Sequence, residues 1–454
     1  MSLITDPVPV PDHSLRVRIP FVSTSFAQDL WYYALLWPVW WALGIDQLLL
    51  PFFVIYEMVR SLIRNNWLLR LNTTTKFASL LALWWVVPII WADREFLDIF
   101  LKETSSIWSQ ALILILLLNE IRSRRDWWLV VGAISIMATY TAASSLIFAA
   151  GIWQGSFPSA VGVLLPSSLV ENSAFFSSIA IRRFGSFVEV AGLFPFRLMG
   201  ISWSFSALSM ICLLLIPFTY WRFQFSRGYT RLHYLIVLVG LLVGLLFTES
   251  RFAYLGFLAG VALYCILRLG LLREPNLPLT IALILVGTGT ALLFGYLALG
   301  PILETFRSTF IDLRPGSWFE RLNIYVVTLQ LLPKHFIAGW GVPVRIPGTS
   351  SVYSAGTHSS YLGMLFQHGV VGLLLYMGLW LSIWRAVFRG LRRHHANQYE
   401  SLFWMAITFA FLAFNLREAA DTWWWDLTIL FVIWLQWGLV MTAPQALNPN
   451  KSHG

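Results

Sequence analysis

The sequence predicts an all-α, polytopic integral membrane protein, and three observations carry that prediction. Of the 454 residues, 58% are hydrophobic. Only 12% are charged, whereas a soluble domain carries about 25%. So few charges cannot cover a water-facing surface, which excludes a soluble globular enzyme, a disordered chain and a secreted disulfide scaffold. The apolar runs are also continuous over about 20 residues, the length of a bilayer-spanning helix. They are not the alternating segments of about 10 that build a β-barrel. The 24 Trp and 15 Tyr suit a chain with many membrane–water interfaces.

Taken in order, residues 1–29 are polar, contain Pro and lack an apolar core followed by a cleavage site, so they read as a cytoplasmic tail rather than a signal peptide. The stretch 30–64 is too long for one straight span. Gly44 and Asp46 near its middle divide it into two helices. Further spans are expected near 74–92, 106–121, 127–149, 198–221, 232–249, 252–270, 279–299, 359–384, 401–416 and 423–441. That makes about 12 helices in a single transmembrane domain, 30–441. The tail 442–454, with Pro444, Pro449 and Lys451, is read as a cytoplasmic end.

Positive charge orients the spans. Arg60, Arg64, Arg70 and Lys76 share one loop, and Arg122, Arg124 and Arg125 a second. Three more hold Arg222, Arg227 and Arg231; Arg268 and Arg273; and Arg385, Arg389, Arg392 and Arg393. These are every second loop, which places both termini in the cytoplasm and attributes the net charge of +9 to cytoplasmic loops rather than to a nucleic-acid partner. Two long external loops, 150–197 and 300–357, also carry cations: Arg182, Arg183 and Arg197 in one, Arg307, Arg314, Arg321, Lys334 and Arg345 in the other. Long loops translocate regardless of charge. Their arginines either pair locally with Glu171, Glu189, Glu304, Asp312 and Glu320 or form an anion site for a phosphate or sugar acid, which arginine holds bidentately.

Three constellations stand out as candidates for chemistry. Thr248-Glu249-Ser250-Arg251 joins two spans with almost no loop, so Arg251 sits at the outer membrane edge, where a charge must pair, snorkel or face a polar cavity. In the second external loop, Pro315-Gly316 reads as a turn and Ser317 stands three residues before Glu320, a capping-box spacing. Trp318, Phe319, Leu322, Tyr325, Val326 and Leu329 then recur at helical spacing. This is an amphipathic helix in the outer interface, ending near Pro333 and carrying Arg321. Third come Gly339-Trp340-Gly341 and, after a polar loop, His358-Ser359-Ser360-Tyr361-Leu362 at the start of a helix that later contains Gly369 and Gly372. Histidine holds or releases a proton near neutral pH, although a single one at a helix start also serves structure. His368, three turns in, is expected to be satisfied by packing. No Cys/His cluster has zinc spacing, so no metal site is read, and Cys212 and Cys265 are read as small buried hydrophobes.

In this order, Arg183-Phe184-Gly185, Thr248-Glu249-Ser250-Arg251, Arg321 on its external helix, Gly339-Trp340-Gly341 and His358-Ser359-Ser360-Tyr361-Leu362 resemble the O-antigen ligase and polymerase superfamily of bacterial inner-membrane glycosyltransferases. The resemblance covers residues 180–385. One departure is Ser359, where the family commonly has Asn. The resemblance implies glycosyl transfer from a polyprenyl-pyrophosphate-linked oligosaccharide to a sugar hydroxyl on a glycan or glycolipid acceptor. It places the reaction on the outer face of the inner membrane, with no metal or cofactor. It also implies catalytic roles for His358 as base and for Arg251 and Arg321 as a pyrophosphate clamp, with Arg183, Arg314, Ser359 and Tyr361 as substrate contacts. The alternatives are a lipid-linked oligosaccharide flippase or transporter, whose charges would line a path through the membrane, and a non-catalytic subunit of an envelope assembly.

Overall fold

The computed structural model describes residues 25–92, 97–172, 174–187, 196–202, 204–269, 315–346, 354–393, 398–422, 424 and 426–447. The span expected at 279–299, and Arg314, lie outside these residues. The described chain is a bundle of long helices with three small two-stranded sheets. Eight of the described helices are long and apolar enough to cross a membrane, which establishes the all-α polytopic class.

The first region holds α1 (Phe26–Leu35), α2 (Trp37–Leu43) and α3 (Asp46–Arg64). The break expected near Gly44 is present. Gly44 caps α2 with φ +84°, and a Cβ there would lie 2.5 Å from both the Ile179 carbonyl and the Ser159 hydroxyl, so only glycine fits. A second interruption at Leu36, just before Pro38, makes three helices where two were expected. Next come α4 (Thr73–Trp85), α5 (Leu97–Glu120) and α6 (Arg124–Ala149). Both α4 and α6 open on reciprocal capping boxes, Asn72 with Thr75 and Ser123 with Asp126.

Between α6 and the next span, the described residues fold as short pieces: β1 (Ser156–Pro158), α7 (Ala160–Leu164), α8 (Ser167–Asn172), α9 (Ala174–Ala180), β2 (Ile181–Arg183), β3 (Gly185–Phe187) and β4 (Phe196–Leu198). β1 pairs antiparallel with β2 and β3 with β4. The spans α10 (Phe205–Phe225), α11 (Gly228–Phe247) and α12 (Arg251–Arg268) follow. After α13 (Pro315–Leu331) come a third pairing, β5 (Val344–Arg345) with β6 (Ser354–Ala355), and then α14 (Ser360–Arg393), α15 (Gln398–Glu418) and α16 (Leu427–Leu447).

Helices that are apolar on every side take the centre of the bundle. Both α10 and α15 bury 78% of their span windows, and α16 is buried from Leu427 through Ala443. By contrast, α11 and α12 bury only 33% and 22%, leaving apolar faces for lipid. Cys212 lies in the core of α10, whereas Cys265, on α12, is exposed rather than buried as expected. The contact between α12 and α15 depends on small residues: a Cβ on Gly256 would meet the Ala413 carbonyl at 2.6 Å, and one on Gly260 the Phe409 ring at 2.1 Å. The helix expected around 318–329 is α13, closed by a tight turn at Leu332–His335. Its start corrects the expectation of a Pro315-Gly316 turn capped by Ser317. Pro315 is already helical, because the first position needs no N–H and a ring-fixed φ suits it.

α14 is broken at Gly369, where φ is +66° and ψ −172°. The strap 336–341 satisfies the backbone groups that the break exposes. Val370 N–H donates to the Phe336 carbonyl at 2.9 Å and Val371 N–H to Ile337 at 3.5 Å. In return, Trp340 and Gly341 N–H donate to the carbonyls of Phe366 and Gln367 at 2.9 and 2.7 Å. Gly339 and Gly341 make this possible with φ of +80° and +78°, and a Cβ on Gly339 would meet the Gln367 carbonyl at 2.3 Å. His368, at the break, is fully buried. Its ring lies 3.6 Å from that of Trp85, and its carbonyl accepts from Trp84 Nε1 at 2.9 Å, but neither ring nitrogen has a hydrogen-bond partner among the described residues, so packing holds the ring without satisfying it.

Candidate functional site at one end of the bundle

Three elements converge on residues 420–421, in the turn between α15 and α16. From α13, Arg321 Nη1 donates to the Ala420 carbonyl at 3.2 Å. One turn later Tyr325 donates its hydroxyl to the His358 carbonyl at 2.7 Å. From the start of α14, Ser360 Oγ donates to the Asp421 carbonyl at 2.8 Å. His358 itself has φ +60°, a left-handed conformation that a non-glycine residue rarely holds and that clusters at functional sites. Ser359 Oγ accepts from Leu362 N–H at 3.3 Å, so it caps α14.

Asp421 is the electrostatic centre of this cluster. Arg417 Nη2 lies 2.7 Å from its Oδ2, Ser206 Oγ donates to the same oxygen, and Thr422 N–H donates to Oδ1 at 2.9 Å. Burial alone would raise the Asp421 carboxyl. The neighbouring charges of Arg417, His358 and Arg321 outweigh it and hold the carboxyl below its ordinary value. Arg417 also donates to Ser206 and, at 3.4 Å, to Ser209, which ties α15 to α10. Behind this layer Glu418 is fully buried. It accepts from Tyr376, from Asn415 at 2.8 Å and from Tyr361 at 3.2 Å. Tyr361 therefore points inward, at Glu418.

The Thr248–Arg251 motif reaches the same level by two routes. Arg197 donates from Nε and Nη2 to the Thr248 carbonyl at 2.9 and 2.7 Å and stands 4.0 Å from Glu249. The same guanidinium covers the Phe205 ring at 3.4 Å, next to Ser206, the partner of Asp421. In addition, α12 and α15 run antiparallel, with Gly256 against Ala413 and Gly260 against Phe409. That register brings Arg251, the first residue of α12, level with the Arg417 end of α15. Arg183 stands apart from this cluster, at the end of β2, and lines a cavity of about 280 Å³ with Trp41, Arg182, Ser204 and Phe205. Its neighbour Arg182 is buried and pairs with Asp46 of α3, a partner from outside its own loop.

Arg417 and Glu418 end α15, and Asp421 follows in the turn to α16. The Arg417–Asp421 pair is there, but the same carboxylate also faces His358 and Arg321. The available signal was an Arg–Asp pair at i and i+4 ending an apolar span, where uncompensated charge is costly. Arg197 and Ser206 carried no such signal. Among the described residues no group of three His, Cys, Asp or Glu side chains is placed to hold a metal ion.

Fold and site together define a polytopic α-helical membrane protein with a cationic, histidine-bearing cluster at one end of its bundle. Residues 235–377 match the model of a family described as O-antigen ligase. The matched segment runs from α11 through α13 and into α14, taking in Arg251, Arg321 and His358. Over that segment the chain is similar to the O-antigen ligase family, a match that supports glycosyl transfer in polysaccharide or O-antigen assembly. No curated protein matches the chain.

Proposed function

We propose that this protein transfers a glycan from a polyprenyl-pyrophosphate carrier to a sugar hydroxyl on the outer face of the bacterial inner membrane, as a polysaccharide polymerase or an O-antigen-type ligase, with both termini cytoplasmic. The observation that carries this reading is the meeting of Arg321 and His358, both within the family-matched segment, at residues 420–421 and level with Arg251. Arg251 and Arg321 hold the pyrophosphate, with Arg183 and Arg314 as further anion contacts. Their charge stabilises the leaving group as the anomeric C–O bond breaks and its electron pair passes to the pyrophosphate oxygen. The acceptor hydroxyl oxygen forms the new bond to the anomeric carbon. Its proton goes to neutral His358, which Asp421 then steadies as the imidazolium. Ser359 fixes the end of the helix beside that histidine.

The test is transfer by the purified chain, reconstituted in vesicles with a lipid-linked donor and a glycan or glycolipid acceptor. The wild type forms product, and His358→Ala falls at least about a hundredfold with unchanged insertion. A His358→Ala protein that transfers at near-wild-type rate would remove the base assignment. No product with any lipid-linked donor would remove the reaction. In a strain lacking the gene, accumulated single repeats mark a polymerase, and long chains left on the carrier mark a ligase.

A further inference from the structure

At the end of the bundle remote from His358 lies a second cavity, of about 470 Å³, lined by Asn72, Thr73, Thr74, Ser382, Arg385, Ala386, Arg389, Gly390, Val440 and Met441. Arg385 lies 27 residues beyond His358 on the same helical segment, roughly 40 Å at 1.5 Å per residue. The cavity is therefore separate from the site above. Its wall has two chemistries. Arg385 and Arg389 are four apart on α14 and so share one face. Opposite them begins α4. Asn72 Oδ1 caps Thr75 N–H at 2.9 Å, while the amides of Thr73 and Thr74, first in the helix, have no carbonyl of α4 to bond. The Ser382 hydroxyl donates to Thr74 Oγ1 at 3.0 Å, fixing α4 against α14 at this spot. Among the described residues, no carboxylate lines the cavity. The remaining wall, Ala386, Gly390, Val440 and Met441, is apolar.

We propose that this cavity is a phosphate-anion site, built for the headgroup phosphate of an anionic phospholipid in the adjacent leaflet or for free phosphate. Two guanidiniums on one face suit bidentate contact with phosphate oxygens, and the apolar wall offers a surface for an acyl chain.

The test uses the purified full chain in neutral detergent, with three probes: short-chain phosphatidylglycerol, short-chain phosphatidylcholine and inorganic phosphate, each titrated by native mass spectrometry and thermal shift. The site predicts saturable binding of phosphatidylglycerol that weakens at least tenfold in Arg385→Gln/Arg389→Gln. Arg227→Gln/Arg231→Gln, at the same end of the bundle, leaves binding unchanged. Saturable binding of inorganic phosphate lost in the same double variant identifies free phosphate as a ligand; phosphatidylglycerol binding without it identifies the lipid. Should the double variant misfold, Arg389→Gln alone is expected to weaken binding at least threefold. Equal binding of phosphatidylcholine, equal losses in the Arg227/Arg231 variant, or unchanged affinity without Arg385 and Arg389 would each overturn the proposal.

Discussion

The Arg417 guanidinium lies 2.7 Å from the Asp421 carboxylate, one helical turn further along the chain, and this pair closes the end of α15 beneath the candidate site. Both side chains are largely buried, at 4% and 15% exposure. Removing one partner of such a pair leaves the other charge uncompensated, at a cost of about 3–5 kcal/mol. Asp421→Asn should therefore lower the melting temperature in detergent by several degrees. Its pH dependence has a defined sign. A carboxyl held below its ordinary value binds fewer protons in the folded state, so its stabilisation is present above the unfolded value of about 3.9 and fades as pH falls through the folded value. The wild type should lose this increment below about pH 4, and Asp421→Asn should lack it at neutral pH. A melting curve for Asp421→Asn that overlays the wild type at pH 7 would show that the pair does not stabilise the fold.

Asp421 also bears on the chemistry. Its charge interacts with His358 across the cluster, so Asp421→Asn should lower the transfer rate even below its melting transition. A rate equal to that of the wild type would mean that the carboxylate does not assist His358.

For the arginines, geometry and charge separate. Arg251→Ala and Arg321→Ala should each cost about 10²–10³ in rate. Lysine at either position should recover only part of that loss, because it keeps the charge and loses the planar fork. Transfer assays that return full activity for Arg251→Lys would argue against bidentate recognition at that position.

The apolar runs were enough to locate most spans, since length and hydropathy are properties of a segment alone. They could not show that α14 is broken at Gly369, because the break exists only where the strap 336–341 supplies the missing hydrogen bonds. The Gly339-Trp340-Gly341 motif was visible, yet its partner lies some 27 residues on. The site was legible in part for the same reason. Arg251, Arg321 and His358 announce themselves by charge or titration at membrane edges. Arg197 and Ser206, which tie the Thr248–Arg251 turn to Asp421, depend on long-range contacts between α10, α12 and α15. Tyr361 was placed near the site by position, but its hydroxyl is directed inward at Glu418, a direction that spacing does not reveal.

Glu418 supplies a test of that inward layer. Tyr361→Phe or Tyr376→Phe removes one of its donors, and the buried carboxylate then lacks a hydrogen bond worth about 1–3 kcal/mol. Both variants should be destabilised, with Tyr376→Phe affected more, since Tyr376 is 2% exposed and has less access to a replacing water. Transfer rates measured below the melting transition should change far less than in His358→Ala. A hundredfold rate loss in a stable Tyr361→Phe protein would instead put that hydroxyl in contact with substrate.

The strap gives the sharpest contrast in stability. Gly151 and Gly369 have nearly the same φ, +70° and +66°. A Cβ on Gly151 would meet nothing within 4 Å, whereas one on Gly369 would lie 2.1 Å from the Ile337 carbonyl. Gly151→Ala thus adds only left-handed strain, about 1–2 kcal/mol. Gly369→Ala falls at φ +66° and ψ −172°, a region that essentially only glycine occupies, and also pushes the strap away, breaking up to four backbone hydrogen bonds whose buried groups cost about 1–3 kcal/mol each when unpaired. Gly151→Ala should purify as a monodisperse protein with a modestly lower melting temperature. Gly369→Ala should aggregate or melt far earlier, and it should lose transfer activity, because His358 and Ser359 directly precede the first turn of α14. Similar melting temperatures for the two variants would show that the strap does not hold the helix break together.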